Sequence, residues 1–238
     1  MTALAAVPAT LSQAVGIDLG AYRSEHVEGR IERALAREGV PDLSGLVRLV
    51  RSDPAARTRF RRSVAVSFSG LFRDPAQFDL LERELLPPLV AGGRRLTVWS
   101  AGCSDGSELY SVALLLERLG ALDRAVLLGS DLLEENLALA RDGHYGDVQI
   151  GEELRGRARW ERRDLVSEGA PPGPWQLILC RNLAIYLAPE AKRTLHATLA
   201  ESLAPAGVLL LGRSERLVDP SALGLERAGP HAYRRRTG

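Results

Sequence analysis

Leu96-Thr97-Val98-Trp99-Ser100-Ala101-Gly102-Cys103-Ser104-Asp105-Gly106-Ser107-Glu108-Leu109-Tyr110-Ser111 is the stretch that decides the fold. Its first four residues are a short apolar run that predicts a buried strand. The run breaks into a turn holding Gly102 and Gly106, and Ser107-Glu108 then lead into an apolar-periodic helix, Leu109 to Leu119. Strand, glycine turn and helix together let backbone approach a nucleotide-like ligand, because glycine carries no Cβ and accepts positive φ. The spacing is Gly-x-x-x-Gly and no Gly-Lys-Ser/Thr follows, so a phosphate-cradling loop is not indicated. By itself the stretch is equally compatible with an ordinary strand-to-helix turn.

Downstream the alternation continues. Ala125 to Ser130 predicts a second strand running into Asp131, 25 residues past Gly106. A carboxylate there either receives a ribose or caps the helix starting near Leu132, and one residue can do both. Glu134 to Arg141 predicts a helix stopped by Gly143. Ala158 to Arg163 predicts a third strand before Asp164-Leu165, and Gln176 to Cys180 a fourth, ending in Arg181-Asn182. Helix Pro189 to Leu203, a turn at Ala206-Gly207 and strand Val208 to Leu211 follow, then Gly212-Arg213-Ser214-Glu215 and a closing hairpin from 225–227 and 232–234. Strands alternating with helices, with polar residues at the strand carboxyl ends, predict an open, mostly parallel α/β sheet with its site in that crevice.

Upstream, Leu11 to Arg62 reads as helical. Tyr22 to Glu38 ends at Gly39 and Pro41; Asp42 or Ser44 caps the next helix, to Val50; Asp53-Pro54 opens a third, to Arg62. Ser63 to Asp74 is a joining segment finishing in Phe72-Arg73-Asp74, where Arg73 is either held near a cleft or paired with Asp74 on the surface. Pro75 to Leu89 predicts a helix broken by Pro87-Pro88, before the loop Ala91-Gly92-Gly93. The boundaries are an N-terminal helical domain with linker, 1–74, and a sheet domain, 75–238.

Basic residues in the first part are arranged. Arg30, Arg33 and Arg37 fall on one helix face, and Arg57, Arg59, Arg61 and Arg62 crowd another. Residues 1–74 carry 11 basic and 8 acidic side chains, the remainder 20 and 22. That face is either solvated, with Glu28 and Glu32 as local partners, or a docking face for an acidic protein surface. It lacks the interleaved aromatics of a single-stranded nucleic-acid platform, and a net charge of +1 argues against a bulk polyanion partner.

The 238 residues are 45% apolar and 26% charged, without a run long enough to span a bilayer. No membrane insertion is expected. The opening MTALAAVPATLSQAVG lacks a basic start before an apolar core, so no secretory signal is expected and the predicted location is cytoplasmic. Cys103 and Cys180 are too few for a disulfide framework, and no Cys/His cluster has zinc spacing, so no metal is expected.

Five motifs in order make the chain resemble the CheR-type protein-glutamate O-methyltransferases, which methylate chemotaxis receptors using S-adenosyl-L-methionine. The family's N-x-T-x-F-F-R segment reads Ser67-Phe68-Ser69-Gly70-Leu71-Phe72-Arg73 here. Its W-S-A-x-x-x-x-G-E-E-P-Y-S reads Trp99 to Ser111. Its A-x-x-G-x-Y reads Ala140 to Tyr145, its C-R-N-V-x-I-Y-F reads Cys180 to Leu187, and its G-x-S-E reads Gly212 to Glu215.

The resemblance implies a Rossmann-like class I methyltransferase sheet behind a small all-helical domain. It implies cofactor contacts from Ser67, Ser69, Arg73, Gly102, Glu108, Asp131, Asp164, Leu165, Asn182 and Leu183, leaving S-adenosyl-L-homocysteine as product. In this reading Asp131 accepts from ribose hydroxyls, Glu108 faces the cationic end of the methionine moiety, and Asp164 accepts from the adenine amine. Arg73 and Tyr186 are the implied catalytic residues, lining the place where methyl meets acceptor. The partner implied is a chemoreceptor or other signalling protein, met by a monomer through Arg30, Arg33 and Arg37. The chain departs from the family at Ser67, Ser69, Ser107, Leu109 and Asp164. Only 18 residues separate Tyr145 from Asp164, too few for the family's inserted antiparallel β-subdomain. Two other readings stay open: a cofactor-binding regulator with weakened transfer, and a methyltransferase for a different acceptor.

Overall fold

The computed structural model of the chain describes residues 9–65, 70–91 and 93–237. Contacts divide it into one unit of residues 1–67 with 186–193 and a second of residues 68–185 with 194–238.

The first unit contains helices α1 (Ala9–Val15), α2 (Ser24–Glu38), α3 (Leu43–Ser52) and α4 (Pro54–Ala65). α2 begins two residues later than the apolar pattern suggested. Tyr22 is extended (φ −100°, ψ 160°) because it bridges Leu187 as a strand residue would. Gly39 ends α2 at φ 65°, the left-handed conformation glycine adopts without a Cβ penalty. Of the two candidate caps for α3, Asp42 serves: its Oδ1 accepts from the Gly45 N–H at 2.7 Å. Val27, Ile31 and Ala34 of α2 are buried, as are Leu46 and Val50 of α3 and Ala56, Phe60 and Val64 of α4. Three- and four-residue spacing puts each set on one face.

The second unit is built on a seven-stranded sheet of order β5-β2-β1-β6-β7-β9-β8. The strands are β1 (Leu96–Ala101), β2 (Ala125–Asp131), β5 (Ala158–Arg162), β6 (Trp175–Cys180), β7 (Leu203–Leu211), β8 (Leu225–Gly229) and β9 (Ala232–Arg235). The first five in that order run parallel, and β9 and β8 close the edge antiparallel. All five expected strands and the hairpin are present. β7 begins at Leu203, well before the expected Val208. The strand follows α10 (Pro189–Ser202) directly, and its register against β6 shifts between Trp175 and Leu177 to absorb the extra residues. Leu96, Val98, Leu127, Leu177, Leu179, Val208 and Leu210 form a core with Leu109, Val112, Ala113 and Leu116 of α7 (Ser107–Arg118).

Pro87 and Pro88 do not break their helix, contrary to the expectation from sequence. α5 (Pro75–Leu80) passes through a π turn, Leu81–Leu85, into α6 (Leu86–Val90), which contains both prolines. A proline cannot donate four residues back and its ring crowds that carbonyl; widening the preceding turn relieves both conflicts. Beyond α8 (Glu134–Asp142), the short stretch before β5 holds a two-stranded ladder, β3 (His144–Tyr145) with β4 (Val148–Gln149), and α9 (Glu152–Arg157).

Candidate functional site

The glycine turn is fastened to the end of the neighbouring strand. The N–H groups of Gly102 and Cys103 both donate to the Ser130 carbonyl, at 2.8 and 2.9 Å. Ser104, at φ 51°, donates its N–H to Asp131 Oδ2 at 2.9 Å. Gly106 (φ 83°) immediately precedes α7. A Cβ on Gly106 would lie 2.6 Å from Trp160 Cη2, and one on Gly129 would lie 2.4 Å from Trp160 Cζ3. These two glycines therefore make room for an indole; for Gly106 the sequence suggests close approach of a ligand or a positive φ, and the positive φ is present. Gly102, at φ 74°, faces Leu183, whose Cδ2 would be 3.1 Å from an added Cβ. Tyr145 of the Ala140–Tyr145 motif donates its hydroxyl to the Asp105 carbonyl at 2.5 Å, which ties the turn to the short ladder.

Asp131 is buried and caps α8: Oδ1 accepts from the Leu133 N–H at 2.9 Å and the Asn136 amide at 3.0 Å. Burial raises its pKa, and the hydrogen bonds from Leu133, Ser104 and Asn136 oppose that rise. The buried Cys103 thiol is pushed well up, first by burial and then by the fields of Asp131, Glu108 and Asp105. A buried thiol with so raised a pKa stays inert. Cys180, also free and buried, is likewise pushed up.

Glu108 opens α7. Its Oε1 accepts from Ser100 Oγ at 2.7 Å and its Oε2 from Arg181 Nη1 at 3.2 Å. The Arg181 side chain is only 3% exposed. Its Nε donates to Gln77 Oε1 at 2.9 Å, and its Nη2 to the Arg73 carbonyl at 2.6 Å and to Asp74 Oδ2 at 3.0 Å. Asp74, one of the two surroundings that sequence offered to Arg73, is engaged by Arg181 and, at 3.6 Å, by Arg213. Phe72 and Asp74 both have positive φ (54° and 61°), so Arg73 sits in a tightly turned segment. Asn182, also left-handed at φ 61°, donates its N–H to Glu215 Oε2 at 2.7 Å, and the Gly212 N–H donates to the same oxygen at 2.8 Å. Asp164 uses Oδ1 to accept from the Val166 N–H at 3.0 Å, and the Arg163 N–H beside it donates to the Asp131 carbonyl at 2.9 Å. Leu165 is buried. Ser67 and Ser69 lie outside the described residues.

Reading residues by type missed Arg181 and Glu215. Both stand inside quoted motifs, and for Arg181 a charged residue directly after a buried strand was the available signal.

Tyr186, Arg30, Arg33 and Arg37 belong to the helical unit. The Tyr186 ring packs on His26 (centroids 4.8 Å apart), and its carbonyl accepts from the Arg23 N–H at 2.9 Å. His26 Nε2 is 2.9 Å from the Val64 carbonyl; burial, then the fields of Arg30 and Arg33, lower its pKa, with the Val64 bond opposing. Burial, then the field of Arg33, lowers the Arg30 pKa, with Tyr186 opposing. Arg37 instead joins Arg59 on Glu38, at 2.8 and 2.7 Å. The expected basic face is therefore divided between two neighbourhoods.

The chain matches the profile described as "CheR methyltransferase, SAM binding domain" over residues 67–152 and 145–227, and "CheR methyltransferase, all-alpha domain" over 3–65. It belongs to the CheR methyltransferase family. A chemotaxis protein methyltransferase of Listeria monocytogenes is 30% identical over 233 residues, covering 89% of this chain and 88% of the relative. Chemotaxis protein methyltransferase 1 of Pseudomonas aeruginosa is 28% identical over 239 residues, covering 87% of each.

This CheR-family chain is a methyltransferase whose cofactor is S-adenosyl-L-methionine. The donor set fits that group. Carboxylates at the ends of β1 and β2 and just past β5 suit an ammonium, a ribose diol and an adenine amine. A turn with Gly102 and Gly106 at positive φ lets backbone follow them. Among the described residues no group of three His, Cys, Asp or Glu side chains is arranged to hold a metal. None of the described helices is long and apolar enough to cross a membrane.

Proposed function

We propose that this CheR-family protein transfers methyl groups to glutamate side chains of a chemoreceptor or similar signalling protein in the cytoplasm, forming methyl esters. The single observation that carries the reading is the pair of carboxylates fixed at the carboxyl edge of neighbouring parallel strands, Glu108 bonded to Ser100 of β1 and Asp131, the last residue of β2, bonded to the Ser104 N–H. Chemotaxis methyltransferases among its relatives support the choice of acceptor.

Asp131 would receive the ribose and Glu108 the ammonium. Asp164, Leu165, Asn182, Leu183, Gly102, Ser67 and Ser69 would line the remainder. Bound S-adenosyl-L-methionine supplies an activated methyl group, and a glutamate side chain is already anionic at neutral pH. The chain therefore needs neither a general base nor a metal. Its task is placement, an effect that contributes up to about 7–11 kcal/mol in favourable cases. Arg73 holds the anionic acceptor through its planar guanidinium. Tyr186, on the helical unit, is the second catalytic candidate, and Arg30, Arg33 and Arg37 are the docking candidates.

The test uses methyl-tritiated S-adenosyl-L-methionine and a chemoreceptor cytoplasmic fragment. Base treatment should release the label as methanol, and Arg73→Ala should slow labelling by about tenfold or more. Label that survives base, or none transferred by folded protein, would refute the glutamate reading.

A further inference from the structure

Arg181 is an expensive residue to bury. A guanidinium removed from water costs several kcal/mol unless its donors are met by well-placed acceptors. Here they are met almost entirely from one short segment. The Arg73 carbonyl, the Asp74 carboxylate and the Gln77 side-chain oxygen accept from its Nη2 and Nε, and its Cζ lies 5.1 Å from the Phe78 ring centroid. Gln77 is buried too, and its Nε2 donates onward to the Leu211 carbonyl at the end of β7, at 2.7 Å. The remaining ion pair is with Glu108.

The segment so gripped is not a relaxed one. Gly70 (φ 146°), Phe72 and Asp74 all adopt positive φ, a conformation that persists for non-glycine residues only when surroundings impose it. Two contacts impose it here. One is the Phe72 N–H donating to Ser111 Oγ at 2.8 Å, and the other is Arg181. Arg73 lies between the two strained residues, and its own carbonyl is the acceptor of the shortest Arg181 bond.

We propose that Arg181 is a positioning residue for Arg73: from the end of β6 it fixes the turned backbone of residues 72–74 and so aims the Arg73 side chain. This rests on the reading that Arg73 serves cofactor and acceptor, and it adds the device that holds Arg73 in place. Lysine at position 181 keeps the charge but has a single nitrogen, so it cannot meet a carbonyl, a carboxylate and an amide oxygen in three fixed directions.

The experiment is a double-mutant cycle read by calorimetry with S-adenosyl-L-homocysteine, with methyl transfer to the receptor fragment as second readout. Arg73→Ala alone should weaken binding and slow transfer. Arg181→Lys should weaken homocysteine-nucleoside binding about tenfold in the native background and less than about twofold in the Arg73→Ala background. Hydrogen exchange at amides 70–78 of the ligand-free protein should quicken with Arg181→Lys. Should Arg181→Lys fail to fold, Asp74→Asn carries the same cycle, because asparagine tolerates the left-handed backbone while losing the charge that holds Nη2. Equal losses in both backgrounds overturn the positioning role and leave the Arg73 reading standing. Native binding and transfer by Arg73→Ala overturn that reading, and the inference with it.

Discussion

Arg181 and Glu108, 73 residues apart in sequence, meet at 3.2 Å where β6 ends and α7 begins. The contact puts a fixed positive charge behind the carboxylate proposed to receive the cofactor's ammonium. Ser100 Oγ donates to the other oxygen of Glu108 at 2.7 Å, so the carboxylate keeps an anchor that does not depend on Arg181. Glu108→Gln keeps the shape and removes the charge. Calorimetry with S-adenosyl-L-homocysteine should show affinity falling by about 10- to 100-fold, the range for a hydrogen bond to a charged group. Arg181 retains Asp74, so the fold should survive. Native affinity in this variant would remove Glu108 from the site.

Asp131 serves both as helix cap and as candidate ribose acceptor, and one substitution separates the roles. In Asp131→Asn, Oδ1 still accepts from Leu133 and Asn136, but an amide now faces the Ser104 N–H. The turn should loosen and nucleoside affinity should fall about tenfold or more, while α8 keeps its cap. Circular dichroism with calorimetry distinguishes this from general unfolding.

Gly129 and Gly106 predict an overpacking cost. A methyl on Gly129 would meet Trp160 Cζ3 at 2.4 Å, Cε3 at 2.5 Å and Cys103 Sγ at 3.0 Å. Gly129→Ala should lose about 1–3 kcal/mol in urea unfolding. Adding Trp160→Leu to it should recover part of that loss. Additive losses would mean that the indole is not the obstacle.

Acid should act on the helical unit through Glu38. Hydrogen bonds from Arg59 and then Arg37 hold its carboxyl down at about 2, below the ordinary 4.5. A carboxyl lowered by folding stabilises above its unfolded value, and the benefit disappears as pH falls from about 4.5 toward 2. Glu38→Gln should lower the unfolding midpoint modestly at pH 7, and the difference should shrink on acidification across that window. His26 gives a second window. Its pKa is lowered by burial, so the unfolded chain binds the proton more readily and stability should decline below pH 6.5.

The divided basic face makes a graded prediction for docking. Arg33 is exposed and Arg30 half-buried beside Tyr186, whereas Arg37 is engaged by Glu38. Arg30→Glu with Arg33→Glu should lower the methylation rate about tenfold, with the deficit easing at high salt, and should leave S-adenosyl-L-homocysteine affinity unchanged. Arg37→Glu should cost less. A native methylation rate in the double variant would end the docking assignment.

Much of the chain was readable before any coordinates. Apolar runs marked four of the five parallel strands, because such runs are buried on both faces, whereas the edge strand β5, Ala-Arg-Trp-Glu-Arg, carries no such run and is not buried. What failed did so at places where tertiary contacts decide. Pro87-Pro88 read as a break, yet core packing of Leu81, Leu85 and Leu86 holds the helix together through a π turn. Gly106 does take the positive φ that the turn suggested, but the space beside it is filled by Trp160, more than fifty residues later in the chain. Nothing in the sequence around Asp74 pointed to Arg181, more than a hundred residues later, as a partner of its carboxylate.

Sequence by itself determined which residues gather at the sheet's carboxyl edge. Strand, turn and helix are local consequences of side-chain period and backbone preference, and parallel connectivity then brings Glu108, Asp131 and Asn182 to one edge. Only the tertiary structure decided which charge faces which. Ion pairs such as Arg181 with Glu108 and Asp74 depend on distances between elements far apart in the chain, and no spacing rule along a single strand or helix encodes those distances.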